Sequence, residues 1–342
     1  MNRAKKSREA GSGFAREKAQ IKIPVRADLA GGTSDIAFYL EKYKVDHGSV
    51  VNISLPVEIG IEVSIVESSK EIKVIMPDLG NVVEGDLVKL QNQEKDNACQ
   101  IISHFLRFFA LDFRGLRVKI SSQGKIPPAS GLGTSSAMGV GLVEVLADLY
   151  GVYGINPAEF TYLVETSMGL LGGKQDYYAA WLSGLNYMIF HGPHKSLVSI
   201  KESFPTNHQL YCWVSQKMVI YYCGESRSSG KMNQEFKAKI ARDPSVFAEI
   251  AKCADNAFKA ILVKDEKALS GAINQDRDLH LELSSLYYSK KMRQMARVGE
   301  ELGYAHRGCG AGGGGCLLFW GKEEDHQKLL KRLHPLGGIE IK

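Results

Sequence analysis

A chain of 342 residues, 44% of them hydrophobic, has the apolar content for two packed domains or one large one. Its net charge of +5 sits mostly in residues 1–18, where six basic residues against two acidic ones give +4. The +1 that remains excludes a broad nucleic-acid-binding face on the folded body, and the absence of any run of about eighteen apolar residues excludes a membrane-spanning helix.

Residues 1–20 lack the apolar core of a secretory signal and read as a disordered basic tail. Ile21–Ala27 alternates as a strand. Val50–Val66 holds two further apolar runs, broken at Pro56, and Glu71–Met76 continues the strand character. Asn97–Leu111 reads as a helix and Gly115–Ser121 as a strand. From Ser135 onward Met138, Leu142, Val145, Leu146 and Leu149 share one helical face. Pro157 suits the start of a helix that runs toward Met168. Gly184–His191 and Leu210–Tyr222 read as buried strands, and Lys231–Gly303 as mainly helical. Tyr304–Arg307, a glycine loop, a strand Cys316–Trp320, a helix from about Glu323 and a last strand Gly338–Ile341 complete the chain. Strands and helices do not alternate regularly, so the class is α+β. Polar residues near 191–206 predict a boundary between a domain of 21–195 and a domain of 196–342.

Pro127-Pro128-Ala129-Ser130-Gly131-Leu132-Gly133-Thr134-Ser135-Ser136-Ala137 is the most specific motif. It is a glycine turn, then hydroxyl residues, then a helical pattern. Glycines permit positive φ and close approach of a ligand, and a helix start offers unpaired N–H groups and a positive dipole end to an anion, most often phosphate. Thr134, Ser135 and Ser136 are expected to cap that helix, and their hydroxyls suit a hard cation such as Mg²⁺. A second glycine-rich loop spans Gly308–Cys316. Its Gly310, Gly312 and Gly315 match G-x-G-x-x-G, yet no acidic residue follows at dinucleotide-site spacing and too little chain remains for a βαβ half.

Asp176 follows Gly172-Gly173-Lys174-Gln175 and can accept a proton from a substrate hydroxyl. Lys174 is placed to pair with Asp176 or with phosphate, and Glu165, on the preceding helix, to share Mg²⁺. Arg26, leaving the first strand, offers a fixed cation, and Asp35 after Gly31-Gly32-Thr33-Ser34 an acceptor for sugar hydroxyls. The six cysteines form no Cys-x-x-Cys pair and no zinc spacing with histidine, which fits reduced thiols in a cytoplasmic protein.

With these motifs in this order, the chain resembles the GHMP small-molecule kinases over about residues 21–342. Arg26–Asp35 is similar to their first motif, Pro127–Ala137 to their phosphate loop and Gly308–Cys316 to their third motif. Within that group it is most similar to the heptose 7-phosphate kinases, through Leu29–Asp35, Gly172–Ala180 and Gly224–Lys231. Thr33 and Ser34 stand where those kinases usually carry glycine and threonine, a change expected in the sugar pocket.

The resemblance implies a ribosomal-protein-S5-like N-terminal domain, a ferredoxin-like α+β C-terminal domain, and an active site in the cleft between them. It implies that Pro128, Ser130, Gly131, Leu132, Gly133, Thr134, Ser135 and Ser136 bind ATP, and that Ser135 and Glu165 bind Mg²⁺. Asp176 would be the base, Arg26 its partner at the γ-phosphate. Gly31, Gly32, Thr33, Ser34, Asp35, Lys174, Gly312 and Gly313 would contact the sugar. A 7-phosphate needs a further cationic pocket, for which Arg227 and Lys231 are the candidates. The expected partners are ATP and a sugar phosphate, with neither nucleic acid nor membrane; a homodimer stays open. So do a kinase for another sugar or a mevalonate-like alcohol, and a non-catalytic regulator on the same fold.

Overall fold

The computed structural model describes residues 16–342 except 94–95, 112–113, 124–125, 171, 193–197, 226–235 and 237. A long antiparallel ribbon, β1 (Lys18–Ala30) against β2 (His47–Val66), carries the first sheet. Its other strands are β3 (Ile72–Met76), β4 (Asn81–Gly85), β5 (Gly115–Gln123), β6 (Leu185–His191) and β7 (Val198–Phe204). The order is β4-β3-β5-β2-β6-β7, with β1 on β2; only the β3–β5 pair is parallel among the described strands.

Pro56 does not split β2 into two strands as its sequence suggests. The ladder with β6 ends at Ile53, the ladder with β5 begins at Glu58, and the register with β1 shifts between Pro24 and Arg26. A residue without an N–H fits in that gap, so one strand runs through it. The strand β1 also starts at Lys18, inside the segment expected to be a tail; residues 1–15 of that expectation lie outside the described residues.

Helix Thr134–Tyr150 lies on β1 and β2. It comes close because Gly141 has no side chain: a Cβ there would sit 2.6 Å from Ile61 and 2.8 Å from Ile23. The second sheet is wholly antiparallel in the order β11-β8-β10-β9, from β8 (Met218–Tyr222), β9 (Ala305–Gly308), β10 (Cys316–Trp320) and β11 (Ile339–Ile341). Helix Ser245–Val263 packs on β1 and β2, and its neighbour Glu266–Leu283 packs on β9, so this pair joins the two sheets. The main core is continuous across the junction, from Leu29 and Val50 to Cys316 and Trp320.

Leu210–Tyr222 is not one strand. Gln209–Ser215 is a helix, capped by the His208 ring, which accepts from Leu210 N–H at 3.2 Å, and β8 follows. The buried residues Leu210 and Val214 are four apart, a helical spacing hidden in an unbroken apolar run. Helices Ala37–Lys42 and Leu87–Gln91 and strands β4 and β7 go beyond the predicted elements; β7, past residue 195, pairs with β6 of the first sheet.

The two glycine loops meet backbone to backbone. Cys316 N–H donates to the Ser130 carbonyl at 2.9 Å. A Cβ on Gly131 would lie 2.4 Å from the Cys309 carbonyl oxygen, and one on Gly315 would lie 2.6 Å from that of Ser130. Gly315→Ala therefore meets both a φ of +81° and fixed backbone, whereas Gly303, at φ +78°, faces open space. In urea unfolding Gly303→Ala should cost about 1 kcal/mol and Gly315→Ala clearly more, about 3 kcal/mol. Equal losses would show that the loops do not depend on this contact.

Candidate active site

The phosphate loop turns three times through the left-handed region, at Ala129 (φ +55°), Gly131 (+79°) and Gly133 (+71°). Gly133 itself occupies the N-cap of helix Thr134–Tyr150, and no side chain caps it. The hydroxyls of Thr134, Ser135 and Ser136 therefore do not serve as the caps expected, because a left-handed glycine already makes the turn. Among the described residues no side chain partners the first-turn amides, at the positive end of a seventeen-residue helix.

The loop lies between two cavities. One, of about 550 Å³, has apolar walls from Ile59, Met76, Ile120 and Met138 and includes Pro128, Thr134 and Ser135. The other, of about 260 Å³, includes Gly131 and Gly133 with Arg26, Asp28, Asp35 and Asp176. Ser130, Leu132 and Ser136 are buried beneath the loop. The Leu132 carbonyl accepts from Arg26 N–H at 3.1 Å, so Leu132 holds the loop's shape.

Arg26 connects the smaller cavity. Its guanidinium donates to Asp176 Oδ1 from Nε at 2.9 Å and Nη2 at 2.6 Å, and to the Gly131 carbonyl from Nη1 at 2.7 Å. Burial opposes its charge, but Asp176 and then Asp28 more than offset this and raise its pKa. Among the described residues, Asp176 Oδ2 takes no hydrogen bond. Asp176 stands in the first turn of helix Gln175–Leu182, whose first amide donates to Asp35 Oδ2 at 2.9 Å.

Ser135 and Glu165 come together. Glu165 Oε1 accepts from Ser135 Oγ at 3.2 Å and from Asn97 Nδ2 at 3.1 Å, and Oε2 accepts from Tyr177 Oη at 2.6 Å. Asn97 also donates to Ser135 Oγ at 2.6 Å. Burial raises the Glu165 pKa, against the hydrogen bonds of Tyr177 and Ser135. These are hard oxygen donors at the phosphate loop, and their 3.2 Å separation is close to the ~3 Å between adjacent ligands of an octahedral Mg²⁺. The pair fits that ion.

Other expected contacts fall elsewhere. Lys174 turns away from Asp176: its ammonium binds both Glu159 oxygens at 2.8 Å and lies 4.7 Å from the centre of the Tyr162 ring. Ser34 is buried, and its hydroxyl lies 2.7 Å from the Gly31 carbonyl oxygen and 2.9 Å from that of Ser49, either of which can take its one proton. Gly31 is packed so tightly that a Cβ would lie 2.0 Å from the Ser49 carbonyl oxygen. Gly312 packs on Tyr287 and Gly313 N–H donates to the Tyr287 carbonyl at 2.7 Å, so Gly310 and Ala311 line the cavity in their place. Gly32, Thr33 and Asp35 do line it. Arg227 and Lys231 lie outside the described residues.

A buried charge network was not anticipated. Arg307 Nη2 donates to Asp28 Oδ2 at 2.8 Å, and Nη1 lies 2.8 Å from Asp276 Oδ2 as an ion pair off the hydrogen-bonding direction. Strand alternation places Asp28 on the same face as Arg26, which is a legible signal. Nothing local ties Asp276, His280 and Arg307 to the site, because their partners in the Asp28–Gly32 segment are some 245 to 279 residues away.

Burial, opposed by the Gln175 amide, pushes the Asp35 carboxyl up from its ordinary 3.8 to about 7. Between those values the folded state keeps the proton and the unfolded state has lost it. Stability due to this group therefore falls as pH rises from about 4 to about 7. In urea unfolding across that range, Asp35→Asn should lose less stability than the unaltered protein. Parallel profiles would mean that Asp35 is not held protonated.

Comparison with known proteins bears on the fold. Residues 98–184 match the GHMP kinases N terminal domain and residues 257–334 the GHMP kinases C terminal domain. A D-glycero-alpha-D-manno-heptose 7-phosphate kinase of Campylobacter jejuni is 25% identical over 333 residues, 93% of this chain and 94% of its own. Among solved structures, a D-glycero-D-manno-heptose 1-phosphate kinase from Bacteroides thetaiotaomicron superposes with a TM-score of 0.74 at 19% identity, over 94% of each chain. A Streptococcus pneumoniae phosphomevalonate kinase in complex with phosphomevalonate and AMPPNP gives 0.71 at 17% identity, over 94% of this chain and 97% of its own. On this two-sheet fold, around a phosphate loop flanked by an Arg26–Asp176 pair, the chain carries the N- and C-terminal domains of the GHMP kinases in series.

Proposed function

We infer that the protein transfers the γ-phosphoryl group of ATP to the anomeric hydroxyl of a sugar phosphate, with D-glycero-D-manno-heptose 7-phosphate as the substrate, in the cytoplasm. The observation that carries the reading is one loop shared by two cavities, with a carboxylate and its guanidinium in the smaller one. The heptose assignment rests on the similarity to the heptose phosphate kinases. We assign ATP binding to the N-terminal module, read from the sequence as residues 21–195 and extended by β7 to Phe204, and the rest of the chain to the C-terminal module.

ATP would place its base in the larger cavity and its phosphates over the amides at Thr134–Ser136. The sugar would occupy the smaller one. The sugar oxygen attacks the γ-phosphorus, the bond from that phosphorus to the β-phosphate oxygen breaks, and ADP leaves. The hydroxyl proton passes to Asp176. Arg26 fixes that carboxylate through Oδ1 and leaves Oδ2 for the hydroxyl. Positioning and charge neutralisation supply most of the rate in such a transfer. Ser135 and Glu165 would hold Mg²⁺, which neutralises phosphate charge when bound.

ADP release should be measured with Mg²⁺–ATP against heptose 7-phosphate, unphosphorylated heptose, mannose, galactose, fucose and mevalonate. Turnover with heptose 7-phosphate alone is expected. Turnover of an unphosphorylated sugar in its place would reject the second phosphate pocket and with it the expected role of Arg227 and Lys231. Silence on every acceptor would overturn the sugar-kinase reading. Asp176→Asn should lower kcat by about 10²–10⁴; near-normal turnover would remove Asp176 from the mechanism. Ser135→Ala should shift the Mg²⁺ titration to higher concentration, and an unchanged titration would count against its role as ligand.

A further inference from the structure

Thr33 is a β-branched residue at φ +81°, where glycine is at ease and a branched side chain is strained. It lines the smaller cavity, two residues before Asp35. Such a conformation persists only where its surroundings impose it. Here two side chains one helical turn apart, Asp276 and His280 of helix Glu266–Leu283, grip three successive residues. Gly31 N–H donates to Asp276 Oδ1 at 2.6 Å. His280 Nε2 lies 3.1 Å from the Gly32 carbonyl oxygen and 3.2 Å from Thr33 Oγ1.

Both gripping residues are themselves fixed. His280 Nδ1 lies 2.8 Å from the Asp276 carbonyl oxygen and 3.2 Å from its carboxylate. Its ring stacks on Tyr287, with centroids 5.0 Å apart. Arg307 on β9 pairs with Asp276 and also with Asp28 on β1. The contacts close a circuit from β1 through β9 and the helix back to the loop that leaves β1. Asp276, His280 and Arg307 are wholly buried, and none lines either cavity.

We propose that His280, anchored by Asp276 and Arg307, is a positioning residue that holds Thr33 in its left-handed conformation and so sets the shape of the sugar subsite. This rests on the sugar-kinase reading for its functional half only. No residue of 31–35 lines the larger cavity, so the brace acts on the acceptor and not on ATP. Released from it, Thr33 returns to negative φ and carries Gly32 and Asp35 out of place.

The test uses the full chain and His280→Phe, which keeps a ring against Tyr287 and removes the two contacts to the loop. Hydrogen exchange of residues 30–36 should accelerate about tenfold, while that of β5 stays within about twofold. The acceptor KM should rise about tenfold with the KM for ATP within about twofold. In a Thr33→Gly background, where φ +81° needs no brace, the same substitution should change the acceptor KM by only about twofold. Thr33→Val, which removes Oγ1 and leaves His280 intact, should also accelerate exchange and serves if His280→Phe does not fold. Unchanged exchange in both variants, an equal rise in both KM values, or the same rise in the Thr33→Gly background would each overturn the proposal. Exchange needs no substrate, so it judges the brace even where the acceptor panel fails the kinase reading.

Discussion

Arg26 is the contact on which the rest of the site depends. Its amide binds the Leu132 carbonyl, its Nη1 binds the Gly131 carbonyl, and its other two nitrogens bind Asp176. One residue within the long β1–β2 ribbon thus fixes both the phosphate loop and the carboxylate that faces the acceptor. Most of its side chain is buried, so its charge is strong at short range and would be costly without partners. The planar guanidinium satisfies three geometric demands at once, which a lysine ammonium on a flexible stem would meet far less well. The relation between the two cavities follows from this one side chain.

The glycines add a second constraint, of space. Gly131, Gly310 and Gly315 sit where two loops from opposite sheets press main chain against main chain. Backbone packed this closely also has its polar groups paired across the gap, as in the Cys316 to Ser130 bond. The third motif therefore supports the phosphate loop from below, and only Gly310 and its neighbour Ala311 reach the cavity. Its density of glycine reflects contact with protein more than contact with ligand.

Much of the site was legible in the sequence because its signals are local. A glycine turn followed by hydroxyls and an amphipathic run reads as an anion site wherever it occurs. Asp35 and Asp176 each follow a glycine pair near a helix start and Arg26 stands on β1 ahead of the first pair, and the structure gathers the three at one cavity. What could not be read was direction. Lys174 sits next but one to Asp176 in the chain, yet its neighbour in space is Glu159, one turn into another helix. Ser34 looks like a sugar contact beside Thr33, yet its hydroxyl faces the carbonyls of Gly31 in the loop and Ser49 on β2. The Asp28–Arg307–Asp276–His280 network joins residues from both ends of the chain, and although Asp276 and His280 are one helical turn apart, no periodicity carries their pairing with β1. The strand expected at Leu210–Tyr222 failed for a different reason: the apolar run Leu210–Val214 is too short to show a period, and the polar break Ser215–Lys217 separates a helix capped by His208 from β8.

The balance of charge around the smaller cavity bears on what enters it. Asp28, Asp35 and Asp176 line it, and Arg26 is its one lining cation among the described residues. Arg26 is committed to Asp176 and Gly131, Arg307 to Asp28 and Asp276, and Lys174 to Glu159. Carboxylates without spare cations accept hydrogen bonds from hydroxyls and repel phosphate. The polyol portion of an acceptor matches that chemistry; its phosphate does not. A burial-raised pKa at Asp35 reduces the negative charge at neutral pH and lets a protonated carboxyl donate as well as accept. The phosphate of a heptose 7-phosphate would therefore have to extend beyond this lining, toward cations that the described residues of the cavity do not supply. The order of demands is then fixed by electrostatics: hydroxyls deep in the site, the transferred phosphoryl group at the shared loop, and any second phosphate at the rim.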